Sequence, residues 1–253
     1  MKLTTQKGFS LTELLVVVAI TGVVSTAIMG FFISQQRSHT GQEQVTFIQQ
    51  NARAGLGVMS RELRMAGFDP TRSGTMIFQN PGKNTITFHI DLNEDGNLTF
   101  VDPSDGATKN DPGEEIVYSY DAAKFELERN GQVMAEGIEA MAFAYAYDSN
   151  GDGVLEPGYA IAGSDGLGPL DGTVNWFTVN ADASTTDTNI PAIAADIRAV
   201  KIWLLARTEA DSQDYTNTNT YIVGTQTISP TATNLHRRHL LLETVVRCRN
   251  MGL

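Results

Sequence analysis

Cysteine is almost absent from this 253-residue chain: Cys248 is the only one, which excludes an intrachain disulfide and any cysteine-rich zinc site. Histidine is scarce too. His39, His89, His236 and His239 are scattered or flanked by arginine, as in His236-Arg237-Arg238-His239, and none has the carboxylate arrangement of the zinc-hydrolase motifs. Positive charge is in short supply, with 18 lysines and arginines against 29 aspartates and glutamates and a formal charge of −11. A folded body of that sign repels phosphates, so no nucleic-acid partner is expected. A Ser-His-Asp order, a glycine-rich phosphate loop and paired acids in a defined strand context are all missing, so no enzymatic activity is expected. Proline is missing until Pro70.

What is present begins with a long apolar run. Residues 14–33 read LLVVVAITGVVSTAIMGFFI, without charge or proline, which makes about 30 Å of helix and spans a bilayer. Lys2 and Lys7 precede it, and the positive-inside tendency keeps them in the cytoplasm and sends the rest outward. A secretory signal peptide has a similar start, but this run is longer than an ordinary h-region. A helical pattern follows it where a small-residue cleavage site would belong. Val45, Ile48, Ala52, Leu56, Met59, Leu63 and Ala66 then recur at steps of three and four, an apolar stripe that predicts helix to about Ala66. Gly67 and the Asp69-Pro70 pair end it. Glu13 is the odd residue, an acid beside hydrocarbon that costs at least about 2.5 kcal/mol unless it is paired or reaches the headgroups.

Lys7-Gly8-Phe9-Ser10-Leu11-Thr12-Glu13-Leu14-Leu15-Val16 resembles the processing site of type IV prepilins and pseudopilins. Such chains have a short basic leader ending in Gly, a mature chain starting with Phe, and Glu as its fifth residue. The resemblance implies that a membrane-embedded prepilin peptidase cuts between Gly8 and Phe9 and methylates the new amino terminus. It also implies that Glu13 pairs with the terminal amine of a neighbouring subunit during assembly. Major pilins often carry a proline in the apolar helix; here Gly30 lies in that region, which favours an accessory subunit. MSRELRMAGFDP (59–70) and HRRHLLLETVVRCRN (236–250) resemble the helix end and last strand of PilW-type minor pilins. Pseudopilin J of type II secretion shares the general plan.

The remainder reads as β-rich. Ile86, Phe88 and Ile90 alternate with Thr85, Thr87 and His89, a half-buried strand with His89 facing solvent. Met141, Phe143, Tyr145 and Tyr147 alternate with alanines. Val200, Ile202 and Leu204 alternate with Lys201, Trp203 and Leu205, while Leu240, Leu242, Val246 and Cys248 share one face, making Cys248 a small buried hydrophobe. The helical stripe is the natural cover. The expected fold is therefore α+β: a long N-terminal membrane-spanning helix packed by its distal half on a mainly antiparallel sheet. Residues 1–8 form the leader, 9–36 the membrane half of the helix, 37–67 its amphipathic half and 68–253 the head. Polar segments 102–113, 163–173 and 181–189 read as loops.

Two acidic segments have the spacing of calcium loops. Asp91, Asn93, Asp95, Asn97 and Asp102 occupy positions one, three, five, seven and twelve of an EF-hand-like loop, with Gly96 at six. Asp148, Asn150 and Asp152 begin the same way, but Tyr159 stands at twelve, so Glu156 or a distant ligand would have to complete the set. Both segments leave strands, and Asp-Gly and Asn-Gly pairs are also ordinary hairpin turns.

The resemblance implies a minor pilin that joins a complex priming or capping a type IV pilus. Its partners would be other minor pilins, the major pilin, prepilin peptidase and the inner-membrane assembly platform. It would sit in the inner membrane with the body outside the cytoplasm, then in the fibre or at its tip. The other readings are a J-like type II secretion pseudopilin and a calcium-dependent adhesion module at a pilus tip. Mass spectrometry of the native membrane protein is expected to find a mature chain beginning at Phe9; an intact Met1, or a cut beyond Ile33, would contradict the pilin reading.

Overall fold

The computed structural model describes residues 10–148, 150–155, 164–169, 175–179, 194–212 and 215–251. The chain divides into two compact units, 1–45 and 46–253. One helix, α1 (Leu11–Met65), contributes residues to both.

In the first unit, α1 is apolar over enough length to cross a membrane, and its large side chains from Leu11 to Phe32 are all exposed. The second unit begins with the amphipathic end of α1, where Ile48, Ala52, Gly55, Met59 and Leu63 are buried at the predicted three- and four-residue steps. Fully burying a side chain such as Leu63 contributes about 1.5–3 kcal/mol. The helix stops where predicted. Gly67 has φ +76°, a left-handed conformation that releases the chain after the last turn. A Cβ there would lie 2.3 Å from the Met251 sulfur. The C-terminal residues supply donors to the last carbonyls of α1, Arg249 N–H to Arg64 O (3.4 Å) and Asn250 Nδ2 to Met65 O (3.3 Å).

Two five-stranded sheets share the core, with every strand pairing antiparallel. The first has the order β1 (Phe78–Pro81), β2 (Thr85–His89), β5 (Glu115–Asp121), β6 (Glu126–Arg129), β7 (Gln132–Glu136). The second has the order β14 (His239–Arg247), β11 (Ile197–Arg207), β8 (Ile138–Tyr147), β10 (Asn175–Val179), β9 (Ser164–Pro169). Two small hairpins, β3 (Thr99–Val101) with β4 (Thr108–Asn110) and β12 (Tyr221–Val223) with β13 (Gln226–Ile228), complete the described strands. Helix and first sheet are pinned by Glu62, which accepts from Arg129 Nε (2.9 Å) and from the Tyr118 hydroxyl. The Phe143 N–H donates to Lys83 O (2.8 Å) and Tyr145 OH to Gly82 O (2.6 Å), joining β8 to the first sheet.

The alternation read in β8 and β11 sorts two clusters. Met141, Phe143, Tyr145, Tyr147, Val200, Ile202 and Leu204 join the main core with the helix, and Leu240, Leu242, Val246 and Cys248 join the same side. The opposite face holds Ala140, Ala142, Ala144, Ala146, Trp203 and Leu205 with Trp176 and Val223. The alanines make room for a cover: a Cβ on Gly224, in the β12–β13 turn, would lie 2.8 Å from Ala142 Cβ.

Three expectations need correction. His89 does not face solvent; it is 4% exposed. It is enclosed by β1, β5 and the turn after α1, whose Gly67 N–H donates to His89 O (3.0 Å), and its Nε2 stands 3.7 Å from a Glu115 oxygen. Segment 163–173 is not all loop, since β9 forms there by main-chain pairing with β10, which polar, glycine-containing residues allow without an apolar pattern. Segment 102–113 likewise contains β4. Segment 181–189 lies outside the described residues.

Phe143→Ala is expected to lower stability by about 3–5 kcal/mol through the cavity it leaves in the shared core. Val245→Ala, on the exposed side of edge strand β14, is expected to change it by no more than about 0.5 kcal/mol. Denaturant titration of the full chain in detergent micelles measures both.

Candidate functional site

The residues expected to serve processing and assembly lie at the start of α1. Gly8 and Phe9 are outside the described residues, whereas Ser10 and Glu13 are within them. Ser10-Leu11-Thr12-Glu13 forms a reciprocal capping box: the Glu13 N–H donates to Ser10 Oγ (3.2 Å) and the Ser10 N–H to Glu13 Oε2 (3.3 Å). Glu13 therefore has a local duty that the family resemblance did not reveal, although the S-x-x-E spacing was there to read. It starts the helix, and its carboxylate is held against the Ser10 N–H. Further along, Thr21 Oγ1 donates to Val17 O (2.7 Å) and Thr26 Oγ1 to Gly22 O (2.9 Å), so both hydroxyls are satisfied inside the apolar helix.

The first acidic loop follows β2. Asp91 is fully buried, and its Oδ2 accepts from Gly96 N (3.1 Å), which the φ of +74° at Gly96 permits. Asn93 Oδ1 accepts from Asp95 N (2.9 Å), and Asp95 Oδ1 from Asn97 N (2.7 Å). Asp102, the residue expected to close the loop, is not brought there. Strand β3 starts at Thr99 and carries Asp102 about 10 Å along the β3–β4 hairpin. There the Lys109 ammonium, with the Ser104 hydroxyl and N–H, holds the Asp102 carboxyl at about 2.

The hairpin instead returns Asp111 to the loop. Thr99 faces Asn110 in the β3–β4 register, and the Asp111 N–H donates to Leu98 O (2.9 Å). Asp111 is 8% exposed and Glu114 1%. Glu114 Oε1 accepts from the Leu92 and Asn93 N–H groups (3.0 and 3.2 Å). Asp91 Oδ1, Asp111 Oδ2 and Glu114 Oε2 are all buried without a hydrogen-bond partner. Burial raises the Asp111 carboxyl above its ordinary value, and the charges of Asp95 and Asp91 add to the rise. Glu114 is also raised, by burial first, with Asp111 and Asp91 contributing and the two N–H donors opposing. Sequence spacing did not point to Asp111 or Glu114, because a hairpin separates them from the loop they join. Among the described residues, no group of three or more His, Cys, Asp or Glu side chains is drawn together closely enough to hold a metal ion.

The second loop repeats the turn without the conflict. Asp148 Oδ2 accepts from Gly153 N (2.8 Å) and Oδ1 from Gly151 N (2.7 Å), Asn150 Oδ1 from Asp152 N (2.9 Å), and Asp152 Oδ1 from Val154 N (2.8 Å). Burial works to raise the Asp148 carboxyl, but the Gly153 and Gly151 N–H groups and the Arg198 charge outweigh it, so it lies below the ordinary range. Glu156 is outside the described residues.

The remaining buried polar cluster is structural. His239 Nε2 pairs with Glu139 and its Nδ1 meets Asn217 Nδ2 (2.7 Å), while Asn234 Nδ2 donates to Glu139 Oε1 (2.7 Å). This network fastens the start of β14 to β8 and accounts for the second histidine of His236-Arg237-Arg238-His239.

Comparison with known proteins agrees with the two ends of this description. The profile of the prokaryotic N-terminal methylation motif matches residues 3–29, which contain the Gly8-Phe9 junction and Glu13. No curated protein sequence matches the chain. Among solved structures, a type IV-like pilin from Thermus thermophilus is similar at a TM-score of 0.39 and 13% identity, over 80% of this chain and 97% of that one. The profile described as Type IV Pilus-assembly protein W matches residues 116–250, more than half of the chain, from β5 through β14. The chain is a type IV pilin-like protein and belongs to the PilW family of pilus-assembly proteins.

Proposed function

We propose that the chain is a structural subunit of the complex that primes or caps a type IV pilus. Prepilin peptidase cuts it between Gly8 and Phe9, the inner-membrane platform receives it, and it enters the fibre through α1 beside other minor pilins and the major pilin. The observation that carries this reading is the run of exposed apolar side chains from Leu11 to Phe32, next to a second unit that closes its own core. In the bilayer those side chains face lipid. In a fibre, helices of neighbouring subunits replace the lipid, so transfer costs little apolar solvation and the subunit can be drawn from one environment to the other.

Glu13 decides which neighbours are accepted. Its contact to the Ser10 N–H satisfies one acceptor position but leaves the carboxylate charge uncompensated within hydrocarbon. The free amine at Phe9 of an adjacent processed subunit is a cation of the right reach, and pairing the two makes the apolar environment favour docking.

The capping role and the charge role separate by substitution. Glu13→Gln retains a capping-box side chain but has no charge, whereas Glu13→Ala loses both. Both variants are expected to insert in the membrane at wild-type levels and to fall at least about tenfold in sheared fibres, equivalent to roughly 1.4 kcal/mol. Wild-type amounts of Glu13→Gln in the fibres, with only Glu13→Ala reduced, would reassign Glu13 to helix capping alone.

A further inference from the structure

The segment after β2 buries acids near the end of α1 without closing three of them on one point. Asp91 N–H donates to Phe68 O (2.9 Å), just beyond the helix, and Ile90 N–H donates to Glu114 O (2.9 Å). Gly96 packs so closely on Thr71 that a Cβ would lie 2.4 Å from the threonine hydroxyl, and Thr75 Oγ1 donates to Gly96 O (3.3 Å). Main-chain bonds and two threonine side chains therefore tie the loop to the segments beside it. Asp111, more than nine-tenths buried, makes no side-chain hydrogen bond and lies within the fields of Asp91 and Asp95. Asp91 Oδ1 and Glu114 Oε2 are unpartnered in the same region. Buried carboxylate oxygens without donors cost free energy, and a hard divalent cation is the ligand that satisfies several of them at once.

We propose that residues 91–97, together with Asp111 and Glu114, form a calcium site. The loop supplies Asp91, Asp95 and the amide oxygen of Asn93, and Asp111 and Glu114 take the closing role that spacing had assigned to Asp102. Calcium accepts six to eight oxygens at flexible angles, including amide and main-chain carbonyls, so the acids need not already converge on a point. The contrast with Asp148 is the internal control: the turn there has the same hydrogen bonds, yet both Asp148 oxygens have N–H partners and no buried acid is left over.

The test uses the full chain in detergent micelles, stripped with a chelator, with unfolding followed by the fluorescence of Trp176 and Trp203. At an affinity of about 1 mM, the weak end of the range for extracellular modules, about 10 mM calcium raises the midpoint by roughly 3–6 °C. Magnesium at equal concentration has a smaller effect, because it demands stricter geometry and keeps its water. Asp111→Asn and Glu114→Gln are expected to lose the calcium shift, while in chelator Asp111→Asn unfolds no lower than wild type because a buried repulsion is gone. Asp102→Asn and Asp148→Asn keep the shift. No shift in wild type, an equal shift with magnesium, or retention of the shift by both Asp111→Asn and Glu114→Gln would each overturn the site. Loss of the shift in Glu114→Gln alone sustains it if Asp111→Asn fails to fold.

Discussion

An apolar helical surface long enough to cross a bilayer must be covered, and among the described residues, 11–33 are exposed throughout. Most other features answer to that constraint. The helix is capped at its first residue by Ser10 and Glu13, so the N–H groups that hydrocarbon would strand begin with partners. Thr21 and Thr26 turn their hydroxyls back on the helix, which satisfies them without a partner outside it. The second unit meanwhile closes its own core, so no part of its stability has to come from the apolar run.

The second unit solves a different problem, the coverage of two sheets by a single helix. Residues 46–65 of α1 bury one stripe only, and the two sheets therefore pack into one cluster around it, with β8 joined to both. The second sheet is left with an outer face. Alanines in β8 thin that face, and the β12–β13 hairpin lies over it. The chain returns at its end to the helix terminus, where Met251 packs on Gly67 and Arg249 and Asn250 meet the last carbonyls. The acidic loop lies at this same junction of helix end, β2 and the β4–β5 turn. A cation there would add a further tie between three chain segments already joined by main-chain and side-chain hydrogen bonds.

Much of this was legible in sequence because it depends on periodicity. The 3.6-residue stripe from Ile48 to Leu63 has one face to bury, and the alternation in β8 and β11 separates bulky from small or second-cluster side chains; the structure buries the stripe and sends the two sets to opposite faces. The membrane run needed only length and composition. Features that depend on non-local pairing were not legible. Strand β9 has no apolar alternation and exists through its register with β10. His89 alternates as a surface residue should, but its exposure is decided by the turn after α1, twenty residues upstream. The acidic loop fails in the most instructive way, since EF-hand spacing assumes that the twelfth residue stays nearby. The β3–β4 hairpin interrupts that count, removing Asp102 to the hands of Lys109 and substituting Asp111 from the far strand.

In the proposed function, neighbouring pilin subunits cover the apolar face of α1 once the subunit leaves the bilayer. A photoreactive side chain placed at Val24, which is 49% exposed in the isolated chain, reports what lies against that face. Irradiation of intact sheared fibres should then yield adducts between this chain and the helix of another pilin, and irradiation of membranes should yield lipid adducts. Lipid adducts alone in both preparations would show that the helix never exchanges bilayer for fibre, and would contradict the account.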